Sequence, residues 1–128
     1  MKILVTGVAG FVGSRLAKAL LDRGDAVVGI DNFDPYYARI HKDRHLRDLL
    51  PFPGNRFTFI EADLRHAEHL VQIFRDHNPD TIAHMAAMAA VRYSMQHPLI
   101  YGAVNVQGTM NLLDAARLTG RTDIRCLL

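Results

Sequence analysis

Residues 2–13, KILVTGVAGFVG, constrain the fold more than any other stretch of this chain. A continuous apolar run is followed at once by glycines at positions 7, 10 and 13, and then by a segment of helical period. An uninterrupted apolar run suits a strand covered on both faces, which places residues 2–6 at the centre of a parallel sheet. Gly7 permits a sharp strand-to-helix turn, Gly10 lets the backbone approach a pyrophosphate with no Cβ in the way, and Gly13 allows close packing of helix on strand. The helix that follows presents free N–H groups and a positive dipole end to such an anion, which puts Phe11 and Val12 in the cofactor set. A tight turn without a ligand needs one glycine or two, so three at this spacing between strand and helix point to a dinucleotide cradle.

The rest of the chain repeats the alternation of short apolar runs with segments of helical period, the pattern of a parallel sheet with crossover helices. Further strands are expected at 26–30, 57–62, 81–85 and 124–128. The first helix runs from Val12 to Arg23, with Val12, Leu16, Ala19 and Leu20 on its core face and Gly24 as C-cap. A second amphipathic helix is expected over 38–50, burying Ile40, Leu46, Leu49 and Leu50. A third covers 66–77, with Leu70, Val71, Ile73 and Phe74 at helical spacing. A long one starts near Pro98 and ends before Gly120. With 128 residues and 49% apolar content, one compact domain is expected. The fold class is α/β: a Rossmann-type doubly wound parallel sheet in three α/β/α layers, truncated in or after its fifth strand.

Composition excludes other classes. A net charge of +2 with acids and bases interspersed lacks the basic block of a nucleic-acid binder. No apolar run approaches the roughly 20 residues that span a bilayer, and Thr6 with the glycines breaks any leader-like segment. The single cysteine, Cys126, forms no internal disulfide, reads as core and fits a reducing, cytoplasmic setting. His41 with His45, and His66 with His69, have one-face helical spacing but no third ligand follows, so they read as solvated faces and no metal is expected.

Asp31 closes the second strand, where a carboxylate accepts both ribose hydroxyls of an adenine nucleotide. A 2′-phosphate there brings negative charges to about 4 Å, worth roughly 4 kcal/mol of repulsion at an effective dielectric of about 20. Asn32, Phe33 and Asp34 follow, with no arginine to rescue the phosphate, so the expected cofactor is NAD rather than NADP.

TGVAGFVG (6–13), GIDNFDPYY (29–37), EADLRH (61–66), HMAAMAAVRYS (84–94), HP (97–98) and NVQGTMNLLDAAR (105–117) together resemble the extended short-chain dehydrogenase/reductases. The likeness is to the NAD-dependent nucleotide-sugar epimerases and dehydratases, most of all the UDP-glucuronate 4-epimerase branch, and it runs from residue 2 to 128. It implies that the chain is the NAD(P)-binding domain of such an enzyme, without the C-terminal substrate domain. It also implies that Asn32 joins Asp31 in the cofactor set, that Asp63 and Leu64 border the adenine, that Ala86 and Ala87 line the cofactor, and that Asn105 is a cofactor-side polar group. Bland readings stand beside these: Asp63 as a helix cap, the alanines as core filler, Asn105 facing water. Arg92, Tyr93 and Ser94, on the loop beyond the fourth strand, are substrate-side candidates, Arg92 as a fork for a carboxylate or phosphate or as a plain surface residue. Met88 and Ala90 stand where the family commonly has glutamine and glycine.

The resemblance further implies a Ser or Thr after the fifth strand and a Tyr-x-x-x-Lys pair as proton-transfer groups for hydride transfer at sugar C4 through a 4-keto intermediate. Tyr36, Tyr37, Tyr93 and Tyr101 are followed four residues later by Ile40, His41, His97 and Asn105, so none begins that pair. No catalytic residue is assigned, and the isolated chain is expected to bind NAD without turnover of a UDP-sugar. A non-catalytic NAD-binding module that needs a partner chain, and a sugar-nucleotide dehydratase or decarboxylase, are the alternatives. A homodimer through the helix after Pro98 is expected by analogy.

Overall fold

The computed structural model describes all residues, Met1–Leu128. In chain order the elements are β1 (Lys2–Thr6), α1 (Phe11–Arg23), β2 (Ala26–Asp31), α2 (Arg39–Arg47), a 3-10 turn (Pro53–Asn55), β3 (Phe57–Glu61), α3 (Ala67–His77), β4 (Thr81–His84), α4 (Val91–Gln96), α5 (Pro98–Tyr101), a π-helical turn (Gly102–Gln107), α6 (Gly108–Leu118) and β5 (Arg125–Leu127). The five strands form one all-parallel sheet in the order β3-β2-β1-β4-β5. This is the Rossmann-type doubly wound arrangement, and β1 and β4 flank the point where the strand order reverses. Thr6 is in register with Ile30 on one side and His84 on the other, so the carboxyl ends of the three strands finish level.

The chain forms two compact units. The first comprises residues 1–61, 79–86 and 124–128 and holds the whole sheet with α1 and α2. Its core joins Ile3 and Val5 of β1 and Val27 of β2 to Ala17 and Leu21 of α1 and to Leu46 and Leu49. Leu4, Val28 and Ile30, which alternate with these along their strands, are buried as well, as the continuous apolar runs require. The second unit comprises residues 62–78 and 87–123 and holds α3 to α6. In it α3 packs on α6, and Leu70, Ile73, Phe74 and Leu112 are buried.

Several expectations are corrected. The core face of α1 is Gly13, Ser14, Ala17 and Leu21; Val12 is 61% exposed, Ala19 is exposed, and Leu16 and Leu20 are half-buried. The reason is Gly13: a Cβ there would lie 2.1 Å from the Gly7 carbonyl oxygen, so the helix leans on the turn along its small residues. In α2 the buried positions are Lys42 and Leu46, while Ile40 is 63% exposed and Leu50, beyond the helix end, 62%. Lys42 takes the inward position because it meets a buried carboxylate. The long helix after Pro98 is interrupted by the π-helical turn, and Cys126 is half-buried on an edge strand rather than in the core. Burial raises its thiol pKa above the usual value.

Candidate functional site

The glycine turn is built by steric necessity at two positions and is less crowded at the third. Gly7 has φ +66°, and a Cβ on it would stand 2.9 Å from both the Cα and the N of Ala86. Only glycine adopts that conformation at so close an approach without strain. Gly13 is the point of contact between α1 and the turn, as described above. Gly10 differs: it precedes α1 with φ −73°, and a Cβ on it would meet only the Gly7 oxygen, at 3.1 Å. No side chain caps the helix and no acidic residue stands in its first turn. The N–H groups of the first turn, at Phe11, Val12 and Gly13, have no acceptor four residues back within the helix.

In front of this turn lies a cleft of about 470 Å³. It is lined by Gly7, Ala9, Gly10, Phe11, Val12 and Gly13, by Met85 after β4, and by Tyr37, His41, Lys42 and His45. The last four are missed by reasoning from sequence, although His41, Lys42 and His45 share one face of a helix that was expected. The histidine pair was expected to face solvent. Instead, half-buried His45 reaches the glycine turn, its Nδ1–H donating to the Ala9 carbonyl at 2.8 Å.

Asp31 lies at the end of β2 and is buried. Its Oδ2 accepts the Ala9 N–H at 3.1 Å, and its Oδ1 accepts both the Phe33 N–H at 2.9 Å and the Lys42 ammonium at 3.0 Å. Desolvating two charges is expensive, and the extra backbone hydrogen bonds offset part of that cost. Half-buried Asn32 accepts the Asp34 N–H at 3.0 Å and so continues the turn that leaves β2.

Between β1 and β4, the buried Thr6 hydroxyl accepts the Ala86 N–H at 3.0 Å and shares a 2.6 Å hydrogen bond with His84 Nδ1. Burial lowers the His84 pKa, favouring the neutral ring. The contact holds half-buried Ala86 against Gly7, bringing two site residues expected from sequence together.

The remaining expected site residues fall in the second unit. The Asp63 carboxylate is clamped by the Arg65 guanidinium at 2.9 and 2.6 Å and accepts the Arg65 N–H, while His66 precedes α3. Thus Asp63 does not cap that helix. Leu64 is buried; its carbonyl accepts from Asn111 Nδ2 at 2.9 Å, and Gly108 leaves room for its side chain. Asn105, in the π-helical turn, accepts the Met88 N–H and donates to the Met88 carbonyl, each at 2.9 Å, so it does not simply face water. Ala87, just before, is exposed. Arg92, Tyr93 and Ser94 lie not on a loop but in α4, with the Ser94 hydroxyl donating to the Val91 carbonyl within the helix. Tyr93 stacks beside His97 with ring centroids 4.3 Å apart, and Arg92 is exposed. No three His, Cys, Asp or Glu side chains gather as a metal site, and no helix is long and apolar enough to cross a membrane.

Comparison with known proteins adds the family context. The family described as GDP-mannose 4,6 dehydratase matches residues 4–128. UDP-glucuronate 4-epimerase 6 of Arabidopsis thaliana is 44% identical over 118 residues, a span that is 91% of this chain and 25% of the plant protein. Among solved structures, a UDP-glucuronic acid 4-epimerase mutant from Bacillus cereus, in complex with NAD and a fluorinated UDP-glucuronic acid, aligns with TM-score 0.80 and 37% identity. The alignment covers 91% of this chain and 36% of that one. A UDP-glucose-4-epimerase from Stenotrophomonas maltophila, with bound NAD and formylated UDP-arabinopyranose, aligns with TM-score 0.78 and 32% identity over 94% of this chain and 34% of that one. The chain spans about a third or less of the length of these proteins.

Proposed function

The chain belongs to the GDP-mannose 4,6 dehydratase family, and on that premise we propose that it is the NAD-binding part of a nucleotide-sugar epimerase of the UDP-glucuronate 4-epimerase type. The observation that carries the reading is the cradle at Gly10. There the backbone lines the cleft with no Cβ, the helix N-terminus carries no acidic side chain, and the cleft stands in front of both. A pyrophosphate fits that chemistry, since first-turn amides and the helix dipole favour an anion. The amides of Phe11, Val12 and Gly13 would hold it, and the Asp31 region with Asn32 would take the adenosine ribose.

Sequence resemblance alone extends the assignment to Asp63, Leu64, Ala86, Ala87 and Asn105 for the cofactor and to Arg92, Tyr93 and Ser94 for the UDP-sugar. Bound NAD supplies a hydride acceptor for oxidation at a sugar carbon. This chain's own contribution is binding and orientation, because none of its tyrosines begins a Tyr-x-x-x-Lys pair. The family description keeps a dehydratase as a second enzymatic reading, which product analysis of the whole enzyme separates from an epimerase. A lone half-buried cysteine agrees with a reducing, cytoplasmic setting. Leu99, Val106 and Met110, all exposed at helical spacing, support a homodimer through the α5–α6 stretch, and a monomer in sedimentation equilibrium would remove that part of the proposal.

Calorimetric titration of the chain with NAD tests the central claim. The expected result is one site, weakened at least about tenfold by Gly10→Ala, since each roughly 1.4 kcal/mol of lost pyrophosphate contact is tenfold. The Gly10→Ala melting temperature should stay near that of the parent. Absence of NAD binding by the folded parent chain would refute the proposal.

A further inference from the structure

His45 meets the glycine turn through one of its two ring nitrogens. Nδ1 lies 2.8 Å from the Ala9 carbonyl oxygen, which can only accept, so Nδ1 carries the hydrogen. In the neutral ring Nε2 is then a bare acceptor, and it has no hydrogen-bond partner within the chain. The half-buried ring belongs to the wall of the cleft in front of Gly10. A lone pair repels an anion and an N–H holds one, so what His45 does in this cleft depends on a single proton.

The charged and titratable groups around the ring are few. On α2 itself, His41 and Lys42 precede it by one turn in the same wall, and exposed Asp48 follows by one turn. Lys42 is neutralised by Asp31 of β2, at 3.0 Å. The loop before α2 brings Tyr37, and β4 is followed by Met85. The glycine turn and the first turn of α1 bring no titratable side chain to the cleft, and Arg15 of α1 stands over the Phe11 ring at 5.7 Å. His45 also lies in the last turn of α2, where the helix dipole favours a cation.

We propose that His45 takes up a proton when the cofactor's diphosphate enters the cleft, so that NAD affinity rises as pH falls. The inference rests on the NAD-binding reading above and adds its regulation by pH. One proton passes from solvent to Nε2, and the new N–H donates to a diphosphate oxygen, the diphosphate itself staying ionised throughout. A charge-assisted bond of this kind is roughly twice as strong as a neutral one. Histidine changes charge between about pH 5 and 8, which sets the window in which the linkage acts.

The test is calorimetric titration of the full chain with NAD at about pH 6, 7 and 8, each in two buffers of different ionisation enthalpy, for the parent, His45→Gln and His45→Arg. The parent is expected to bind at least about threefold more tightly at about pH 6 than at about pH 8. Its heat at about pH 7 should differ between the buffers by the uptake of part of a proton. His45→Gln keeps a donor for the Ala9 carbonyl but gains no charge, and should bind at every pH no more tightly than the parent at about pH 8, without proton uptake. His45→Arg is cationic throughout; at about pH 8 it should bind as tightly as the parent does at about pH 6, again without uptake. Proton uptake that persists in His45→Gln, or a parent affinity that does not change with pH, overturns the inference. Should His45→Gln fail to fold, His45→Arg decides on the same criterion. Absence of NAD binding by the folded parent is a different result, which removes the cofactor reading and this inference together, whereas NAD binding without proton uptake removes the role of His45 alone.

Discussion

Three glycines at regular spacing do three different jobs, and substitution separates them. Alanine at Gly13 sets a methyl 2.1 Å from a backbone oxygen that has nowhere to retreat, so Gly13→Ala is expected to cost about 3 kcal/mol or more, or to prevent folding. Urea unfolding of Gly13→Ala beside Gly10→Ala checks this: equal stabilities would show that the close approach is not a constraint. His84 makes a second prediction. Its pKa is lowered by burial from the usual 6.5, so the unfolded chain binds a proton more readily than the folded one. The stabilising contribution is then fully present above about pH 6.5 and is lost as pH falls through the lower folded value. Melting temperatures measured from about pH 8 down to about pH 5 should fall, and His84→Gln should fall less over the same window. A parent and variant with the same slope would exclude His84 as the cause. The Asp31 position was legible from its place after the second apolar run. Its engagement by Lys42 was not, because the eleven-residue separation of the pair crosses a turn whose path sequence pattern does not specify.

Among the elements, every strand and the helices α1, α2 and α3 were expected within a few residues of their observed bounds, because apolar runs and helical periods are local signals. What periodicity misjudged is which helix face turns inward. In α1 a line of small residues won over larger apolar ones because the helix must lie close to the turn. In α2 a charged lysine won over an isoleucine because a buried counter-charge awaited it. The long helix after Pro98 contains a π-helical turn that carries Asn105, and that side chain satisfies both backbone groups of Met88. Asn105→Ala leaves those groups without their partner and should lower stability by about 1–2 kcal/mol. Chemical denaturation measures the loss, and a change within about 0.5 kcal/mol would mean that the clamp contributes nothing.

In the whole molecule, the order of strands turns a list of motifs into a site. Thr6 and His84 are 78 residues apart and become neighbours only because β4 pairs with β1. The same pairing brings Ala86 against Gly7 and Met85 into the cleft wall. The apolar run 2–6, the glycines that follow it and the carboxylate closing β2 are short-range features, and their backbone and packing demands can be met in few ways. From them the parallel α/β class follows without coordinates, as do the glycine turn and the buried carboxylate ending β2 on which the proposed NAD site is built. The partners of that aspartate, the reach of His45 to the turn and the contact of Thr6 with His84 depend on distances between residues far apart in the chain. Strand order and burial create those distances, and periodicity carries no information about them.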